Sequence, residues 1–417
     1  MMKIVILVMM ALLTAFAAFG QQKIEIVNDS TGSRLTIDGT PCFLNGMNWD
    51  YFPIGTNYSY SLWKQSDDVI RAALDNEMSL LKAMGVNAIR QYSSVPPCWI
   101  QYIYEHYGIY TMINHSFGRY GMVANGVDYS HTDYCMDDIQ EALFKEVDDF
   151  TNMYKDTPGV LIYLLGNENN YGLFWRGAET EDIPVADRHS TQEAKCMYEL
   201  MNDAALRIKA IDPSRPVALC NGDLQFLDLI ALQCKDIDIL GVNSYRGDSF
   251  DVLFRDVKEK CGKPILFTEF GADALNAVTL QEAQQEQAEI LLNNWQEIYL
   301  NAATMGQVGN CLGGFTFQFS DGWWKCGQET RLDIHDTHAS WSNGGYRFDY
   351  VKGQNNMNEE WFGICAKGLP DKQGLYELYP RTAYKALGLI HQINPYTTTP
   401  TDIQQYFDTV REKMKKQ

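Results

Sequence analysis

Basic side chains are scarce in this sequence. Its 417 residues hold 34 Lys and Arg against 53 Asp and Glu, a formal net charge of −19. A nucleic-acid interface needs a basic footprint to neutralise phosphates, and so acidic a surface also repels anionic lipid. The one basic cluster, Arg411 to Lys416, is too short to offset this. No nucleic-acid partner is therefore expected. Also missing is any CxxC pair or Cys/His cluster. Asp321, Asp333, His335 and His338 fit no ligand spacing and read as a polar loop, so neither a metal nor another cofactor is expected. There is no internal repeat and no low-complexity tract. Beyond the N-terminus, no apolar run is long enough to span a bilayer.

What is present points to an exported globular chain. Lys3, the apolar run 4–13 and the small residues around Ala18-Phe19-Gly20 read as a signal peptide over residues 1–20, cleaved before Gln21. A secreted or periplasmic location follows, with no stable membrane insertion after cleavage. Ten cysteines, an even number, permit disulfides without revealing which pairs form. The 24 Tyr, 19 Phe and 9 Trp suit a site that stacks rings, and neutral sugars are the ligand class left open by the charge.

The mature chain alternates apolar strand-like runs with amphipathic helical stretches, the pattern of a parallel α/β fold. Runs at 43–47, 86–90, 109–113, 160–165, 217–220, 237–242, 265–267 and 314–319 number eight, as a closed (β/α)8 TIM barrel requires. A helix is expected over 66–84, where Ser66 caps and Gly85 stops a stripe of Ile70, Leu74, Met78 and Leu81. A short β segment over 21–40 precedes and caps the barrel, which occupies 41–395. Residues 321–360 form a long active-face loop. Residues 396–417 read as a polar tail, and the number of subunits is left open.

In such a barrel, chemistry sits at the C-terminal ends of the strands. The fourth run ends in Gly166-Asn167-Glu168 and the seventh in Thr268-Glu269-Phe270-Gly271. Two carboxylates across a barrel mouth are what glycoside hydrolysis requires, one protonated and one ionised. These two motifs, in this order, resemble the catalytic signatures of glycoside hydrolase clan A. Asn45-Gly46-Met47-Asn48, residues 85–90, Asn243-Ser244-Tyr245, residues 319–324 and residues 380–384 are similar to the first, second, sixth and eighth strands and the final helix of the family 2 barrel domain.

The resemblance implies a retaining hydrolase of β-linked glycosides, with the two carboxyl groups ~5–5.5 Å apart. It makes Glu168 the general acid/base and Glu269 the nucleophile. Asn167 would bind the sugar 2-hydroxyl, Tyr245 would donate to Glu269, and Arg90 would hold Glu269 ionised. Trp323 or Trp324 would offer a sugar platform. His115 is a further candidate at the end of the third run, as are Asn170 and Trp175 beyond Glu168. Typical family 2 chains place β-sandwich domains before the barrel, whereas here a short segment precedes it. That leaves room for a likeness to the glucanosyltransferases of the clan. A sugar-binding protein that has lost catalysis is a third reading, which the presence of both Glu disfavours.

Overall fold

A computed structural model describes residues 22–92, 94–174 and 189–416. The expected signal peptide and Trp175 lie outside the described residues. The eight barrel strands are β1 (Leu44–Asn48), β2 (Ala88–Gln91), β3 (Tyr110–His115), β4 (Val160–Leu165), β5 (Val217–Gly222), β6 (Ile239–Asn243), β7 (Ile265–Phe270) and β8 (Cys311–Thr316). All neighbours pair in parallel, and β8 pairs with β1 to close the sheet. The chain is therefore the expected α/β TIM barrel preceded by a short β segment.

A helix follows each strand and covers it: α1 (Asp67–Ala83), α2 (Pro97–Tyr107), α3 (Asp137–Tyr154), α4 (His189–Ile211), α5 (Leu227–Gln233), α6 (Leu253–Lys260), α7 (Gln284–Leu300) and α8 (Thr382–Ile390). Alternation along each strand makes two cores. In β3, Met112 faces the inside of the barrel, where it meets Leu161, Leu164, Ala218, Leu266 and Phe315. Ile113, one residue on, faces outward into the larger core between sheet and helices.

Three antiparallel strands, Ile24–Asp29, Gly32–Ile37 and Thr40–Cys42, precede the barrel. Ile24 and Leu35 are buried among the barrel-interior side chains. The Ile24 and Ser33 amides donate to the carbonyls of Ser214 and Gly309, in loops that enter β5 and β8. The small sheet thus plugs the N-terminal end of the barrel, opposite the mouth. Gly32 is required there: its φ is +133°, and a Cβ would lie 2.0 Å from the Gly309 oxygen.

The segment expected as a polar tail folds instead into a further helix, α9 (Pro400–Met414). Thr399 caps it by accepting from the Asp402 amide at 3.2 Å, and Pro400 opens its first turn. Ile403, Phe407, Val410 and Met414 fall on one stripe and are buried in the main core. Four apolar residues in a charged stretch suffice because they are spaced for one helical face. A disulfide joins Cys135, just before α3, to Cys196 on α4 with Cα atoms 5.3 Å apart. The other eight cysteines are free thiols. Among the described residues, no helix is long and apolar enough to cross a membrane.

Candidate active site

The polar ends of the strands meet at the mouth. Arg90, fully buried on β2, stands at the centre. Its guanidinium donates to Glu269 Oε1 at 2.9 Å, to the Thr268 carbonyl at 3.1 Å, and to Asn114 and Asn167 Oδ1 at 2.9 and 2.8 Å. An arginine buried this deeply is tolerated only because oxygens on several strands satisfy its donors.

Glu269 owes its position to a bulge. β6 and β7 run in step through Val242 and Phe267, and then Asn243 pairs with Glu269, skipping Thr268. Strict alternation would point Thr268 inward and Glu269 outward toward the helices. The extra residue re-aims the chain, so that both reach the interior. Glu269 Oε2 accepts from the Tyr245 hydroxyl at 2.8 Å, and Oε1 accepts from the Tyr92 hydroxyl at 2.6 Å as well as from Arg90. Burial above all, reinforced by the negative Glu269, raises both phenols well above their ordinary range, although Arg90 pulls the other way on Tyr92. Both therefore remain protonated donors to Glu269.

Glu168 sits in a different setting. The chain leaves β4 through Gly166 at φ +80° and turns so sharply that Glu168 itself adopts φ +55°, an uncommon conformation for a side-chain-bearing residue. Its amide donates to the Cys220 carbonyl at 3.1 Å, and Asn169 Oδ1 braces the turn by accepting from the Asn167 amide at 2.8 Å. Among the described residues, the Glu168 carboxylate receives one side-chain hydrogen bond, from Asn243 Nδ2 at 3.1 Å. Burial first, and then the charge of Glu269, push its carboxyl up to about 7; the Asn243 hydrogen bond and the charges of Arg119 and Arg90 pull weakly downward. The two carboxyls thus share one electrostatic site but differ in support: among the described residues, three side chains donate to Glu269 and one to Glu168.

Five of the sequence-derived candidates, Glu168, Glu269, Asn167, Arg90 and Tyr245, are brought together. Asn167 Oδ1 faces Arg90, and its Nδ2 donates to the hydroxyl of Tyr120 at 3.0 Å. His115 does not join them. Asn114 points inward to Arg90, so His115 points outward, where its ring packs edge-on against Phe150 of α3 and its Nε2 lies 3.6 Å from Glu146. Burial lowers its pKa to about 4. Trp323 is also no free platform: it stacks on His335 at 4.5 Å, which in turn stacks on Trp361 at 3.7 Å. Trp324 stands in an aromatic group with Phe52 and Tyr58, with the Lys325 ammonium 4.7 Å over its ring. Asp321 forms a buried two-pronged ion pair with Arg381 at 2.6 and 2.8 Å, which ties the β8 loop to α8. Asn170 is buried and braces β5, donating to the Gly222 carbonyl at 2.9 Å.

Several residues here carried no assigned role in the sequence. Tyr92, Asn243, Asn114, Thr268 and Cys220 all touch Arg90, Glu269 or Glu168 through the contacts above or through the Cys220–Asn243 contact at 3.2 Å. Each sits on the inward parity of its strand, a signal readable by counting upward in twos from the apolar interior residues.

The family model described as glycosyl hydrolases family 2, TIM barrel domain, matches residues 68–321. Among solved structures, a β-D-glucuronidase from Dictyoglomus thermophilum is 15% identical with a TM-score of 0.52, over 90% of this chain and 54% of that one. β-Glucuronidase 2 of Bacteroides uniformis is 13% identical with a TM-score of 0.56, over 89% and 37%. A Bifidobacterium dentium β-glucuronidase is 17% identical with a TM-score of 0.55, over 90% and 50%. At these identities the likeness concerns the fold. The chain spans about half or less of the length of these structures. No curated protein matches it.

Proposed function

This chain belongs to the glycosyl hydrolase family 2 TIM-barrel family, and from that premise we propose that it is a retaining glycosidase acting on β-linked sugars through Glu168 and Glu269. The observation that carries the reading is the contrast between the two carboxyls. Glu269 is fastened on both oxygens by Arg90, Tyr92 and Tyr245. Glu168 is held near neutrality by burial and by its neighbour's charge. Glu168 protonates the glycosidic oxygen as Glu269 attacks the anomeric carbon, giving a covalent glycosyl-enzyme. Esterification removes the charge of Glu269, and with it one cause of the high Glu168 pKa. Glu168, whose proton has left with the departing alcohol, therefore stays ionised and acts as the base toward water.

Asn167, beside Glu168, is placed to engage the sugar 2-hydroxyl by exchanging its contact with Tyr120. Export to the periplasm or medium agrees with the N-terminal leader features and with the Cys135–Cys196 disulfide, which persists in oxidising compartments.

The test is a panel of aryl β-glycosides and β-linked oligosaccharides with product sizing, followed by trapping with a 2-fluoro aryl glycoside of the accepted sugar. Mass should be added on the peptide containing Glu269, and Glu269→Ala should abolish turnover. Wild-type kcat/KM should fall as pH rises above about 7, because Glu168 must be protonated. Products longer than the substrate would move the assignment to transglycosylation; unchanged sugar release by Glu269→Ala would end it.

A further inference from the structure

We propose that Thr268 and Cys220 are positioning residues: together they lock the side-chain amide of Asn243 so that its N–H faces Glu168, and thereby set the proton affinity of the acid/base. The proposal rests on the reading of Glu168 as that acid/base.

Three groups crowd Asn243 Oδ1, and all are donors: the Thr268 hydroxyl at 2.7 Å, the Cys220 thiol at 3.2 Å and Arg90 Nη1 at 3.4 Å. Among the described residues, Asn243 Nδ2 faces two acceptors, Glu168 Oε1 at 3.1 Å and Asn167 Oδ1 at 3.2 Å. Turning the amide over would set its N–H groups against a guanidinium and its oxygen against a carboxylate. One orientation is selected, and the nearest donor selecting it is a hydroxyl on the inward parity of β7, beside the bulge that brings Glu269 in.

The proton count is consistent. Thr268 has one hydrogen and gives it to Asn243. Burial pushes the Cys220 thiol up to about 11, so it keeps its hydrogen and donates to Asn243 or to Thr268 Oγ1, 3.3 Å away. Thr268 and Cys220 are both buried, at 0% and 2% exposure, and no bulk water competes. Among the described residues, neither hydrogen-bonds a carboxylate oxygen, so their influence on Glu168 passes through Asn243.

A donor to the charged form of a carboxyl lowers its pKa. Two or three such bonds account for roughly 2 units, so a single bond is worth about 0.7 unit. Releasing the amide should therefore raise the Glu168 pKa and move the alkaline limb of kcat/KM upward by about 0.7 unit.

The experiment compares Thr268→Val, Thr268→Ser and Cys220→Ala with wild type. It measures the pH dependence of kcat/KM on the best aryl β-glycoside of the panel. In parallel, the Glu168 carboxyl is titrated by 13C NMR in glutamate-labelled protein, with Glu168→Gln giving the assignment. The valine variant should shift both readouts upward, serine should restore them, and Cys220→Ala should give a smaller shift of the same sign. Limbs and titration curves unmoved in Val and Ala variants, with only stability or kcat changed, would reduce both residues to packing and overturn the proposal. If Thr268→Val fails to fold, Cys220→Ala carries the same criterion. A wild type inert on the whole panel counts against the glycosidase reading, while the NMR titration still decides the lock.

Discussion

Glu269 spends both oxygens on fixed donors, and one of them, the Tyr92 hydroxyl, is the shortest contact it makes, at 2.6 Å. A hydrogen bond to a buried charged group contributes about 1.5–3 kcal/mol, so Tyr92→Phe should lower kcat/KM by roughly 10- to 150-fold. KM should change little, because the lost bond orients the attacking group and does not hold substrate; steady-state kinetics on the accepted glycoside checks both numbers. Tyr92 was legible in principle and hidden in practice. It follows Ala88 and Arg90 at intervals of two, but it lies one residue past the end of β2, where a tyrosine reads as an ordinary strand terminus. His115 shows the opposite error. Its type and its place at a strand end suggested the site, and parity with Asn114 sends it to the helix layer.

At the scale of elements, the apolar runs identified all eight strands but undercounted their C-terminal ends. Six strands extend past the expected limit, as far as Asn48, Gln91, His115, Gly222, Asn243 and Phe270. The reason is physical. Most of the final residues are polar because they build the mouth, so the hydrophobic signal fades where the site begins. The β7 bulge was not legible at all, since nothing in Thr268-Glu269 distinguishes a skipped pair from a paired one. Helix α9 was hidden by its charges, although Thr399-Pro400 and the four-residue stripe announce it. Phe407 is fully buried, with its ring 5.7 Å from Tyr299 of α7. Phe407→Ala should cost about 3–5 kcal/mol of stability. Chemical denaturation should show a lower midpoint while KM at low temperature stays unchanged.

For the molecule as a whole, order along the chain and eight buried runs were enough to reach the barrel, and the resemblance of seven short motifs was enough to reach the family. Cysteine pairing was beyond the sequence, because ten thiols allow too many partners and spatial proximity alone selects one. The Cys135–Cys196 link closes a loop of 61 residues that contains α3 and β4. By the chain-entropy argument such a loop contributes about 4 kcal/mol, so Cys135→Ser with Cys196→Ser should shift urea unfolding to lower concentration by a matching amount. An unshifted midpoint would show that the unfolded chain is already compact around this link.

The reach of one guanidinium has a consequence for how this site fails. Rooted on β2, Arg90 touches side chains or carbonyls of β3, β5, β6 and β7 and of the turn leaving β4, six staves of the eight. Prising apart any seam it spans removes a contact from the same charged head. A partly opened cask therefore has no half-working version of the site, and turnover serves as a gauge of whether the hoop is whole.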